Sequence, residues 1–285
     1  MSETDDIVCR DLVRIYRSQD VEVQALQGLT LTVRRGEMVA VVGESGSGKS
    51  TLLGILSALD EPSAGTAVVA GTDLTGLSTK GRTAFHRHAV GFVWQQTARN
   101  LIPYLTVAQN IAAVLAVAGV RGRARSERTD EVLALVGMTD HAQALPEDLT
   151  GGLQQLAAIG VALANSPRVL LADEPTGALD RASARAVLAT MRAVNEAAGV
   201  TMLVVTHDEQ VASQIRRTVR IRDGRTSTET IRDDLGAGPG AEYAVVDAAG
   251  RLQLPESFQR ALGLHDRVRL SLHDDHVAIR PGADA

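Results

Sequence analysis

Short, unbroken apolar runs punctuate the first three-quarters of the chain. The run at 39–42 stops at Gly43, the run at 169–172 at Asp173, and the run at 202–205 at Thr206 and His207. Runs of this length, closed by glycine or a polar residue, predict strands buried on both faces, as in a parallel sheet. Helical stretches follow two of them, at 50–59 and at the alanine-rich 181–198. Such alternation predicts an α/β fold whose ligand site lies at the C-terminal ends of the strands. Residues 97–163 break the pattern. Helical periodicity at 107–117 and 127–136 predicts a helical subdomain inserted into the α/β core.

From 226 to 240 the chain turns small and polar, which reads as a linker between a domain at 1–225 and a smaller one at 241–285. Beyond it, residues 244–255 alternate and turn like a β-hairpin. Residues 256–262 read as a short helix started by Pro255. Residues 268–272 and 276–279, joined through Asp274 and Asp275, read as a second hairpin.

Composition narrows the function classes. Of 285 residues, 45% are hydrophobic and 22% charged, which is ordinary for a globular protein. Aromatics are only 2%, against an aromatic stacking surface for single strands. The net charge of −5 argues against a nucleic-acid-binding chain. The single cysteine, Cys9, has no partner for an internal disulfide, in keeping with a reducing compartment. The acidic N-terminus lacks the apolar core of a secretory signal, and the apolar-leaning stretch at 105–120 is too short to span a bilayer. Lys49 and Lys80 are the only lysines, so Lys49 stands out.

Lys49 lies in Gly43-Glu-Ser-Gly-Ser-Gly48-Lys49-Ser50, which fits G-x-x-x-x-G-K-[ST] at every fixed position. The glycines allow a tight turn whose N–H groups face one anion, and the helix behind it presents a positive N-terminus. Gly43, Ser45, Gly46, Ser47, Gly48, Lys49, Ser50 and Thr51 are thus expected to hold the phosphates of a nucleotide, with the Ser50 hydroxyl on Mg²⁺. The run at 169–172 delivers Asp173 to the sheet edge, where a carboxylate can serve the Mg²⁺ shell. Glu174 follows, placed to orient or deprotonate water.

In order and spacing these elements resemble the ATP-binding cassette ATPases over residues 7–225. The resemblance implies a P-loop NTPase core and ATP hydrolysis. It assigns Tyr16 to stacking on adenine, although a half-buried strand tyrosine is the competing reading. Gln95 matches the glutamine that touches Mg²⁺ and reports to the membrane subunit. Leu149-Thr150-Gly151-Gly152-Leu153 matches the signature, Asp180 the aspartate that follows the catalytic glutamate, and His207 the histidine on the γ-phosphate. The segments Gly91-Phe-Val-Trp-Gln95 and Asp173-Glu-Pro-Thr-Gly-Ala-Leu-Asp180 are similar to the MacB/LolD/FtsE-type branch. That branch implies an FtsX/MacB-like permease partner and a place at the cytoplasmic face of the membrane. It also implies two cassettes working together, as a homodimer or with a different ATPase.

The signature departs from its usual form. Leu153 replaces a glutamine and Leu156 a basic residue, so slow hydrolysis or weaker closure of the dimer is expected. The tail resembles AbrB-type swapped-hairpin domains through Asp247-Ala-Ala-Gly-Arg-Leu-Gln-Leu-Pro255. This adds a small, mostly β domain expected to hold two copies together. Many such domains bind DNA, yet residues 241–285 carry five arginines against seven acidic residues. An ATP-sensing DNA-binding regulator is therefore the lesser alternative. A soluble cassette ATPase acting on ribosomes or DNA would carry two cassettes or a long insertion, and the sequence has neither.

Overall fold

The computed structural model describes residues 4–18, 21–233, 240–247, 249–264 and 268–282. An antiparallel ribbon opens the chain, with β1 (Asp5–Ser18) paired to β2 (Val21–Arg34). β3 (Met38–Val42) runs into α1 (Lys49–Leu56), and β4 (Ala64–Val69) and β5 (Thr72–Asp73) return to the ribbon. α2 (Thr79–His88) and β6 (Val90–Val93) lead to α3 (Val107–Val117), α4 (Gly122–Leu135) and α5 (Gly151–Leu163). Then come β7 (Val169–Asp173), α6 (Arg181–Ala198), β8 (Thr201–Thr206), the one-turn α7 (Glu209–Ala212), β9 (Arg217–Arg222) and β10 (Arg225–Ile231). The tail holds β11 (Ala241–Ala244), α8 (Glu256–Leu262), β12 (Val268–Leu272) and β13 (Val277–Pro281).

The main sheet has the order β11-β10-β9-β3-β8-β7-β6. Its central strands are parallel, and β10 and β11 are added antiparallel at one edge. Alternation along the parallel strands builds two separate cores. Met38, Ala40 and Val42 of β3, Leu170 and Ala172 of β7, and Met202 and Val204 of β8 face the helices α3 to α6. Val39, Val41, Val169, Leu171, Leu203 and Val205 face α1 and the antiparallel ribbon. A strand needed by both cores has no place for a polar side chain until it leaves the sheet. That is why the polar groups that close the two strands, Asp173 on β7 and Thr206 on β8, emerge together at one edge. Asp6, fully buried, accepts from the Thr201 hydroxyl and pairs with Arg168, fastening the ribbon to the opposite edge.

The expected α/β core is present, as is the helical insert. The expected helix at 50–59 ends instead at Leu56, and Ala58 has a left-handed φ of 57°. Two expectations for the C-terminal part are corrected. Residues 226–231, read as the start of a linker, are strand β10, with Ser227 and Thr228 buried and the Thr226 hydroxyl donating to Thr30 O at 2.6 Å. Their alternating threonines favour a pleated, half-buried strand, and small polar composition hid that. Residues 234–239 of the expected linker lie outside the described residues, as do Asp266, Arg267 and Asp284 of the tail.

Among the described residues of 244–255, the expected first tail hairpin has no paired strands. β11 pairs with β10 from Thr228↔Ala244 to Ile231↔Ala241, and Val245 N donates to Ser227 O. An edge strand offers a row of free backbone groups, and β11 takes them. Asp247 then closes a turn, accepting from the N–H groups of Ala249 and Arg251 and from Arg251 Nε. The expected helix at 256–262 and the second hairpin are both present.

Candidate active site

The loop after β3 is shaped by two glycines that admit no side chain. A Cβ at Gly43 would lie 2.3 Å from Ile221 O, and one at Gly48 would lie 2.6 Å from Ala25 O at a φ of +104°. The loop therefore closes against the ribbon and β9 before α1 begins. No side chain caps the N-terminus of α1 and no acidic residue stands in its first turn. Its free N–H groups and dipole are left for an anion. Lys49 is only 8% exposed, and its ammonium donates to Gly43 O at 2.7 Å and Glu44 O at 2.8 Å. Burial lowers its pKa, against the pull of the Glu174 and Asp173 carboxylates.

Across the cleft, β7 ends at Asp173 and the backbone turns sharply. Glu174 sits at φ 47°, in the left-handed region that costs a non-glycine residue strain, and its N–H donates to Val205 O. The turn aims the Glu174 carboxylate at the end of β8. Oε1 accepts from His207 N at 3.0 Å and lies 2.7 Å from His207 Nδ1, while Oε2 accepts from the Thr206 hydroxyl at 3.3 Å. The His207 side chain is 67% exposed and stands over the opening.

One cleft of about 460 Å³ brings these groups together. It is lined by Tyr16 and Val23 of the ribbon, Ser45, Gly46 and Gly48 to Thr51 of the loop, Gln95, Asp173, Glu174 and His207. Gly43 and Ser47 line a neighbouring hollow that shares Ser45 and Gly46 with the cleft. The oxygen donors of Ser50, Gln95 and Asp173 within one cleft are the donor set a hard divalent cation takes.

Burial, and then the adjoining Glu174, push the Asp173 carboxyl above its usual range, against Lys49. Its charged form is the disfavoured one in the fold. The penalty is absent below the ordinary carboxylate pKa and complete above the raised value, so its share of stability falls as pH rises through that window. Asp173→Asn is expected to raise the nucleotide-free melting temperature by about 2–4 °C at pH 7. The gain should vanish at low pH, and Mg²⁺-dependent activity should be lost. An unchanged or lower melting temperature at neutral pH, read by calorimetry, would contradict this.

Tyr16 is held from outside the expected set of site residues. Its hydroxyl donates to Asp60 Oδ2 at 2.7 Å, and the Arg14 guanidinium lies 4.5 Å from its ring centre. Burial alone would raise the Asp60 carboxyl, but hydrogen bonds from Tyr16, Glu61 N and Arg14 hold it below the usual range. Asp60 is 44 residues from Tyr16, and nothing local in the sequence signals that contact.

Thr150, Gly151, Gly152 and Asp180 are not brought into this cleft. Thr150 caps α5, its hydroxyl accepting from Leu153 N, and a Cβ at Gly152 would press on Ser183 at 3.2 Å. The Asp180 carboxylate caps α6 through Ala182 N, Ser183 N and the Ser183 hydroxyl. Leu153 and Leu156, the departures in the signature, pack partly buried on the helical core. These apolar replacements thus have a packing role.

Comparisons with known proteins bear on the family and the fold. The family profile described as ABC transporter matches residues 26–177. Macrolide export ATP-binding/permease protein MacB of Shigella dysenteriae is 40% identical over 258 residues, 89% of this chain and 39% of that protein. The same protein of Salmonella choleraesuis is 39% identical over 252 residues. The chain thus spans 39% of the length of the first of these relatives. Among solved structures, the ATP-binding cassette MJ0796, in a dimeric post-hydrolysis state bound to ADP and Pi, is 34% identical. It superposes with a TM-score of 0.70 over 79% of this chain and 98% of that one. CbiO1 of Clostridium perfringens, at 24% identity and a TM-score of 0.73, shares the fold.

Proposed function

The chain belongs to the ABC transporter family, and from that premise we propose that it is the ATP-hydrolysing motor of a complex with an FtsX/MacB-like permease, seated at the cytoplasmic face of the membrane. No helix among the described residues is long and apolar enough to cross a membrane. The observation that carries the reading is the cleft in which Lys49, Asp173, Glu174 and His207 converge from distant segments.

Tyr16 stacks on adenine. Lys49 and the loop N–H groups bind the β- and γ-phosphates. Ser50, Gln95 and Asp173 would hold Mg²⁺, which would supply positive charge to offset that of the phosphates. Glu174 orients the attacking water and takes its proton. His207, fixed on Glu174, meets the γ-phosphate. Thr150, Gly151, Gly152 and Asp180 lie outside the cleft of their own chain, which supports a role in closing the cleft of a second copy. Leu153 gives that closure no polar side chain, so turnover of the isolated chain is slow. Reconstitution with the permease that co-purifies with the tagged chain is expected to raise ATP turnover about tenfold, the ordinary span of a coupling free energy. Brisk turnover by the isolated chain, unaffected by that permease, would contradict the reading.

The tail is an AbrB-like clamp that holds two copies together. Support comes from its apolar surface. Leu252, Phe258, Leu262, Leu270 and Leu272 are exposed, and Leu264 alone among the described hydrophobic residues of the tail is buried. Half a core of this kind needs a second half. Tethering would raise the effective concentration of one cassette at the other. Truncation after Arg232, which keeps β10, should convert a nucleotide-free dimer to a monomer while leaving ATP affinity within about twofold. An unchanged dimer in sedimentation would sink the clamp.

A further inference from the structure

The tyrosine platform is built from two chain segments, and the second of them is the turn that ends the phosphate helix. Asp60 lies four residues past the end of α1 and is tied back to it, its N–H donating to Gly54 O at 3.0 Å. Its carboxylate makes a fork with Arg14, Nε to Oδ2 at 3.0 Å and Nη2 to Oδ1 at 2.7 Å, and Oδ2 also accepts the Tyr16 hydroxyl. The Arg14 and Asp60 side chains are both largely covered, whereas Tyr16 is 40% exposed. The strand itself does not depend on this fork. Ser63 N donates to Val13 O at 2.7 Å and Ile15 N to the Ser63 hydroxyl at 3.0 Å, so β1 is fastened there independently.

We infer that Asp60 and Arg14 are positioning residues for the nucleobase: they lock the Tyr16 ring in one orientation, with the guanidinium on one face and the other face left for the base. The inference rests on the reading that Tyr16 stacks on the base. An exposed tyrosine on a two-stranded ribbon has several rotamers open to it, and binding a base would have to select one. A hydroxyl tied to a charged acceptor and a ring held under a cation remove that cost beforehand. Because α1 begins at Lys49 and Asp60 is rooted at its end, one rigid helix sets the phosphate subsite and the base platform relative to each other.

The test compares binding of Mg²⁺-ADP and Mg²⁺-pyrophosphate to the full chain by calorimetry, since pyrophosphate has no base to stack. Tyr16→Ala should weaken ADP about tenfold, the order of one base–aromatic stack, and leave pyrophosphate unchanged. Asp60→Asn, Arg14→Met and Tyr16→Phe should each weaken ADP about threefold to fivefold, again with pyrophosphate unchanged. Asp60→Asn added to Tyr16→Ala should cost nothing further. If Tyr16→Ala weakens ADP while Asp60→Asn and Tyr16→Phe bind it like wild type, positioning is overturned and stacking stands. If Tyr16→Ala itself binds ADP like wild type, both are overturned. Equal loss of ADP and pyrophosphate in Asp60→Asn and Tyr16→Phe would mean a merely structural contact and would also overturn the inference.

Discussion

Changing Glu174 to glutamine is expected to lower Mg²⁺-dependent ATP turnover by about 10²- to 10³-fold, the usual share of a general base. Affinity for ATP should stay near that of the wild type. The amide has the shape of the carboxylate and can still accept from His207 N, so the left-handed turn at Glu174 and the His207 ring keep their places. What is lost is the ability to take a proton. Steady-state phosphate release and equilibrium nucleotide binding check the two halves separately. A variant that hydrolyses ATP at the wild-type rate would remove Glu174 from the chemistry. One that no longer binds ATP would make Glu174 a structural residue.

Lys49→Ala carries the second large effect. ATP affinity should fall about hundredfold, the sum of charge-assisted hydrogen bonds to two phosphates, and turnover should disappear with it. The fold should tolerate the change, because burial already disfavours the Lys49 ammonium and its two protein acceptors are the loop carbonyls of Gly43 and Glu44. Lys49→Arg is expected to fail as well. A planar guanidinium is larger than the ammonium that this loop encloses, and it presents its donors in a different geometry. Binding of a fluorescent ATP analogue, with circular dichroism as the control for folding, decides it. Retained binding in Lys49→Ala would contradict the site as described.

The parts of the molecule that a short segment determines by itself could be read directly from the chain. The phosphate loop is set by glycines whose missing side chains are a steric requirement, and β3, β7 and β8 are set by apolar runs that serve two cores at once. Asp173, Glu174 and His207 could be placed because each follows such a run. Contacts between distant segments left no local trace. The hold of Asp60 and Arg14 on Tyr16 depends on where α1 ends relative to β1, and no spacing rule conveys that. β10 was obscured for a different reason: its partners lie on both sides in the sheet, and threonine-rich sequence reads as loop until those partners are known. β11 shows the converse, since a segment suited to a hairpin found an open sheet edge first. Thr150 and Asp180 are placed by capping α5 and α6 in one chain, and the role proposed for them with Gly151 and Gly152 needs two.

That second copy is the central claim, and the molar mass of a Glu174→Gln chain truncated after Arg232 tests it most directly. Without the tail, light scattering reads the cassettes alone. The account predicts one chain without nucleotide, two chains with Mg²⁺-ATP, and one chain again with ADP. A protein that binds ATP and keeps the mass of a single chain would contradict it.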